Sequence, residues 1–215
     1  MSIFRRKINT DVRTVNAPVS AAAGAVATLE FDPATSALAD VTGDYTLDVT
    51  HTRIGFSARH AMVTTVRGQF DEFEGTAHLD LNNPAASSAN IRIKVASVST
   101  GQEQRDGHLR TGDFFDAEVF PEIVFASTKV EKADEETLLV TGDLTIKDVT
   151  RPVAVEFTLN GSAKDIYGNM RVGFEGAATI NRKDWGLSYN AALETGGVLI
   201  SDKIKLEFDV SAIAA

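Results

Sequence analysis

From Tyr45 to Val210, apolar residues recur at every second position in one segment after another. Ile91, Ile93 and Val95 alternate with Arg92 and Lys94, and Leu138, Val140, Leu144 and Ile146 with Thr141, Asp143 and Thr145. Val153, Val155, Phe157 and Leu159 alternate with Glu156 and Thr158, and Ile204, Leu206, Phe208 and Val210 with Lys203, Lys205, Glu207 and Asp209. A period of two puts one face of each strand in water and the other against an interior. The pattern predicts strands near 44–50, 53–60, 65–81, 89–98, 122–131, 137–147, 151–161, 170–181 and 203–211. Turn-forming residues such as Asn82-Asn83-Pro84, Lys147-Asp148 and Gly196-Gly197 separate them.

Short links without long helices imply antiparallel pairing. Within 65–81 the parity changes. Val66, Gly68 and Phe70 share one face and Phe73, Gly75, Ala77, Leu79 and Leu81 the other, as when a β-bulge interrupts one long strand. Bulged, glycine-bearing strands let a sheet bend until it closes. The expected fold class is therefore all-β, a closed antiparallel β-barrel rather than a flat sandwich. Gln102–Thr111 and the turn-like Asn181–Trp185 break the alternation and are expected as one or two short helical insertions capping one end. Residues 1–43 lack the periodicity and hold two of the five prolines, Pro18 and Pro33. They are expected as a loosely ordered N-terminal extension, with 44–215 forming the barrel.

A length of 215 residues at 43% hydrophobic is enough for one domain with a sizeable core. The formal net charge of -9 argues against a nucleic-acid partner, and against a lipid surface held by electrostatics. No run is long and apolar enough for a membrane-spanning helix, so stable membrane insertion is not expected. Arg5-Arg6-Lys7 is followed by polar residues, so a cytoplasmic location is expected rather than secretion. With no cysteine there is no disulfide, thiolate nucleophile or Cys-ligated zinc.

Catalytic signatures are sparse. His51, His60, His78 and His108 show no HxH or HExxH spacing, so no metal site is expected. On a regular strand over 53–60, His60 points inward with Ile54, Phe56 and Ala58, and is expected as a hydrogen-bonded core histidine ahead of a ligand-contacting one. Asp113, Asp116, Glu118 and Glu122 surround Phe114-Phe115 and read as a solvated loop face ahead of an acid/base pair. Ser57, Ser97, Ser127 and Ser188 have no GxSxG context, and no GxGxxG or P-loop supports nucleotide binding. Phenylalanines lie on nearly every strand. They read either as packed core or as the wall of a cavity, and the inward glycines Gly68, Gly75, Gly142 and Gly176 suggest free volume.

Four blocks resemble a known family. Thr46 to Phe56, with Arg59-His60 and Val66 to Phe70, is similar to the first signature of the YceI-like family of lipocalin-like, polyisoprenoid-binding barrels. Arg105 to Leu109, with Asp113 to Asp116 and Phe120-Pro121, resembles the second. Gly142 to Ile146 with Val149 to Val153 resembles the third, and Ile180 to Gly186 the fourth. Asp148 stands where the family commonly has glycine in the turn, and Trp185 where phenylalanine is common.

The resemblance implies an extended antiparallel lipocalin-like β-barrel of about eight strands, with an apolar pore for an isoprenoid chain and no catalytic residues or cofactor. The expected function is non-catalytic binding, sequestration or transport of a polyisoprenoid or other long apolar molecule, such as a quinone precursor or prenyl lipid. Candidate ligand contacts are Phe56, Phe70, Phe114, Phe115, Phe125, Leu144, Phe157, Phe174, Ile180 and Trp185, with His60, Arg105, His108 and Arg182 for a polar head group. A homodimer stays open. The rival readings are an enzyme acting on a bound lipid with His60 or His108 as base, and a packed structural or stress-response barrel.

Overall fold

The computed structural model describes residues 41–194 and 196–215. The expected extension therefore lies, up to residue 40, outside the described residues. Val41 is fully buried, and its carbonyl accepts a hydrogen bond from the Tyr45 hydroxyl at 3.0 Å.

Eleven strands form one antiparallel sheet: β1 (Gly43–Leu47), β2 (Arg53–His60), β3 (Thr64–Phe70), β4 (Phe73–Leu79), β5 (Ser88–Lys94), β6 (Val98–Ser99), β7 (Glu122–Lys132), β8 (Thr137–Ile146), β9 (Val149–Lys164), β10 (Met170–Asn181) and β11 (Ile200–Ala214). Three pairs of these, β1/β2, β3/β4 and β5/β6, are single ribbons bent at a corner. β11 shows this directly, since it pairs along its first part with β2 and at its end with β1. The result is a closed eight-stranded antiparallel barrel.

The corners explain where the sequence pattern went astray. The parity change within 65–81 is a break at Asp71-Glu72, not a bulge inside one strand. There the outer neighbour takes over the backbone hydrogen bonds, with Asp71 N–H donating to Ser97 O at 3.2 Å and Lys94 N–H to Glu72 O at 2.9 Å. Register shifts occur elsewhere, in the pairings β7–β8, β9–β10 and β2–β11. In the tight β8–β9 turn it is Lys147, at φ 58°, that takes the left-handed conformation, rather than Asp148.

The insertion expected at 102–111 is α1 (Glu103–Arg110). The Gln102 side chain caps it by accepting from Arg105 N–H, with Glu103 and Asp106 in the first turn and His108 and Arg110 in the last, complementing the helix dipole. Arg110 fastens it to the barrel by donating to Ala96 O at 2.8 Å and Val98 O at 3.0 Å. The second insertion is a 3-10 turn at Arg182–Trp185.

At the opposite end, where both chain directions meet β1, a charged cluster ties three elements together. Arg171 on β10 bridges the buried Asp48, in the β1–β2 corner, and Asp165, at 3.0 Å, in the β9–β10 turn. Hydrogen bonds from Thr50 and Arg171 hold the Asp48 carboxyl well below the usual carboxylate range, against the opposing effect of burial. At Asp165 burial acts upward, but hydrogen bonds from the Asn169 backbone, Arg171 and Tyr167 outweigh it and bring the pKa to about 2.

Both carboxyls bind protons less readily folded than unfolded. Their contribution is therefore complete above the unfolded value near 4, and as pH falls Asp165's is lost through about 2 and Asp48's lower still. The melting temperature is expected to drop across that window, and Arg171→Ala to flatten the drop. Thermal melts of both proteins against pH check this.

Candidate ligand-binding cavity

Alternation along each strand sends one set of side chains into the barrel. They do not fill it. A cavity of about 830 Å3 runs from α1 and the β2–β3 hairpin down to Leu79, Phe174 and Ala212 near β1. Its wall is almost wholly apolar. A buried cluster that includes Val41, Tyr45, Leu79 and Val172 packs together toward the β1 end.

Nine of the residues singled out from the sequence sit on the apolar wall: Phe56, Phe70, Phe114, Phe115, Phe125, Leu144, Phe157, Phe174 and Ile180. His60, Arg105, His108 and Arg182 also line the cavity, toward its α1 end. Trp185 does not. Its indole N–H donates to Leu144 O at 3.0 Å from the 3-10 turn, and it is buried in packing outside the cavity. The cavity also uses residues the sequence reading passed over. Tyr189 and Leu199 reach it from the link between β10 and β11, and Ile200 from the first position of β11, ahead of the stretch where the periodic pattern begins.

The polar groups at the mouth are mostly engaged with the protein. His60 is exposed at the end of β2 rather than buried in the core, because the strand outruns the apolar interior there. Arg105 donates to Thr100 Oγ1 at 2.6 Å and Thr100 O at 2.9 Å. His108 Nε2 lies 2.8 Å from Asp113 Oδ2, and its ring meets Phe114 and Tyr189 edge-on at 5.1 and 4.9 Å between centroids. The remaining acids of that loop do not converge, and Glu122 instead pairs with Arg92 at 2.9 Å on the surface. No group of three or more potential metal ligands occurs among the described residues.

Arg182 is 5% exposed and acts as a fastener. Its Nε donates to Ser201 O at 3.0 Å and another guanidinium nitrogen to Leu187 O, joining the 3-10 turn, β11 and the loop after the turn. Arg182→Ala is therefore expected to cost about 1.5–3 kcal/mol of stability and to weaken plain and polar-headed prenyl ligands to the same extent. Denaturant melts paired with titration of the two ligand types check this.

The inward glycines are not free volume. A Cβ on Gly176 would run into the Phe157 ring of the neighbouring strand, one on Gly68 into Phe56, and one on Gly142 into Phe125. At these three glycines the missing side chain makes room for a neighbouring aromatic ring, and at Gly75 for Leu47. The open bore follows from those rings lying aside, not from the glycines themselves.

Comparison with known proteins follows the same outline. A family model described as the YceI-like domain matches residues 45–212. A UPF0312 protein of Photorhabdus laumondii is 42% identical over 154 residues, covering 71% of this chain and 78% of that protein. The crystal structure of a Campylobacter jejuni YceI protein is 32% identical, with a TM-score of 0.64, covering 80% of this chain and 98% of the other. A polyisoprenoid binding domain from Saccharophagus degradans shares the fold with a TM-score of 0.62 at 18% identity, covering 80% of this chain and 98% of that domain.

Proposed function

Because the chain belongs to the YceI-like family, we propose that it binds a long isoprenoid or similar apolar molecule inside the barrel and holds it without chemical change. The observation that carries this reading is the apolar cavity of about 830 Å3 inside the barrel. A methylene takes up about as much room as a water molecule, ~30 Å3, so the cavity holds roughly 25–30 carbon-sized groups. That is the size of a prenyl chain of about five units. Burial of such a chain gains about 25 cal/mol per Å2 removed from water. The polyisoprenoid binding named for the Saccharophagus degradans domain points to the same ligand class.

Binding without turnover is supported by the state of the mouth. Arg105 and Arg182 donate to backbone carbonyls, and His108 is held between two aromatic rings with Asp113 at its Nε2. His60, with Arg59, Gln102 and Gln104, is among the exposed polar residues lining the entrance and is the candidate contact for a head group. Quinone precursors and prenyl lipids fit this arrangement as an apolar tail inside with a small polar end outside.

Native mass spectrometry of the purified chain tests the proposal. The expected result is a copurified lipid, or stoichiometric uptake of a quinone or prenyl alcohol with a chain of about that length. A chain that carries no lipid and takes up none of these probes would overturn it.

A further inference from the structure

We propose that the cavity mouth docks on an anionic lipid bilayer through the tip of the β2–β3 hairpin and the adjoining Val198. This rests on the lipid-binding reading of the cavity and says where the ligand comes from. A chain that gains its binding energy by leaving water is scarce in water, so a mouth pressed against a bilayer removes the aqueous step.

Three observations converge at that place. The tip exposes large apolar side chains. Met62 is 56% exposed and Val63 75%, and Val198 beside them is 40% exposed. None of the three lines the cavity, but Ala61 N–H donates to Leu199 O at 2.8 Å, and Leu199 and Ile200 do line it. The patch is thus continuous with the entrance. Secondly, the turn places Ala61 at φ 49° and Met62 at φ 60°. Tight hairpin turns with such angles favour Asn and Gly, so an alanine and a methionine here keep apolar groups at the tip against local preference.

The third observation is charge. Between Asp48 and Asp71 the chain has no carboxylate, and Arg59 and His60 lie next to the tip itself, whereas Arg67 lies near Glu207 and Arg53 stands at the far end of β2 opposite Asp209. Arg59 curls over the tip, donating to Met62 O at 2.9 Å and Thr65 Oγ1 at 3.0 Å. The net charge of -9 is that of the whole chain, so the residues outside 49–70, three arginines fewer, carry -12. At physiological salt, charges more than about 8 Å away are largely screened, so a bilayer touching the tip meets its basic groups first.

The test uses the full chain with phosphatidylcholine vesicles, with and without phosphatidylglycerol. Met62→Ser combined with Val63→Asp is expected to reduce vesicle co-sedimentation, and the rate of prenyl-probe transfer from vesicles, by about tenfold or more. Uptake of the same probe from detergent should be unchanged. Ile166 and Tyr167, 92% and 81% exposed in the β9–β10 turn at the other end, serve as the control, and Ile166→Ser with Tyr167→Ser should change neither quantity.

Absence of co-sedimentation with either vesicle type, or equal losses from the control pair, would overturn the proposal. Equal binding to both vesicle types would overturn its anionic half. Light scattering separates the other occupant. If the Met62 and Val63 changes turn a dimer into a monomer and leave vesicle binding intact, the patch joins two copies instead. A parent protein that takes up no probe from detergent defeats the cavity reading, and co-sedimentation still reports on docking by itself.

Discussion

Phenylalanine at Ala58 is expected to reduce prenyl-ligand affinity about a hundredfold or more while moving the melting temperature by no more than about 2–4 °C. Ala58 lies on β2 between Val66 of β3 and Ile204 of β11 and faces the cavity. A larger side chain there enters open space, so it displaces ligand and not protein. At Gly176 the same residue has the opposite effect. Its Cβ would meet the Phe157 ring, with Glu156 O only 3.1 Å away, so Gly176→Phe overpacks the wall. The expected loss is about 1–3 kcal/mol or more. A titration and a thermal melt on each variant decide the matter. Destabilisation by Ala58→Phe equal to that by Gly176→Phe would mean a packed interior and would remove the cavity as a binding site.

Trp185→Ala is expected to be the most damaging single truncation, at about 3–5 kcal/mol. The indole is 3% exposed and packed in the same cluster as Leu144, Val153 and Leu187. Against a total stability of about 5–15 kcal/mol, such a loss brings the barrel close to unfolding at ordinary temperature. Trp185→Phe keeps most of the packing but leaves the buried Leu144 carbonyl without its donor, at about 1–3 kcal/mol. Because Trp185 stands outside the cavity, ligand affinity of the phenylalanine variant should match the parent. Urea melts give the stabilities, and a changed affinity in Trp185→Phe would show that the residue touches ligand after all.

Much of the barrel can be read from local alternation. Val153, Val155 and Phe157 face inward on β9, and Leu138, Val140 and Leu144 on β8, because a strand's two faces are set by parity alone. The short helix after Gly101 is similarly local, since it depends on a cap and on charges within its own turns. The corner at Asp71-Glu72 was visible as a parity change, but its nature was not. A bulge and a break leave the same trace in one strand, and only the partner strands, β2 for one half and β1 for the other, distinguish them.

The sequence by itself determined the alternation of inward and outward residues and the antiparallel pairing, and thirteen of the fourteen candidate contacts named from it lie on the cavity wall. Tertiary structure decided what those residues do there. Whether inward phenylalanines meet or lie aside depends on cross-strand register, which seats Phe56 on Gly68 and Phe157 on Gly176 and so keeps the bore open. Whether a cation can meet a ligand depends on acceptors that the folded chain brings to it, and the carbonyls of Ser201 and Leu187 take two of the three nitrogens of Arg182. Trp185 sits next to cavity residues in sequence, yet the 3-10 turn swings its ring out to a carbonyl on β8. Periodicity reports the direction of a side chain from its own backbone. Volume, exposure and hydrogen-bond partners are properties of several strands at once, and they exist only when the barrel has closed.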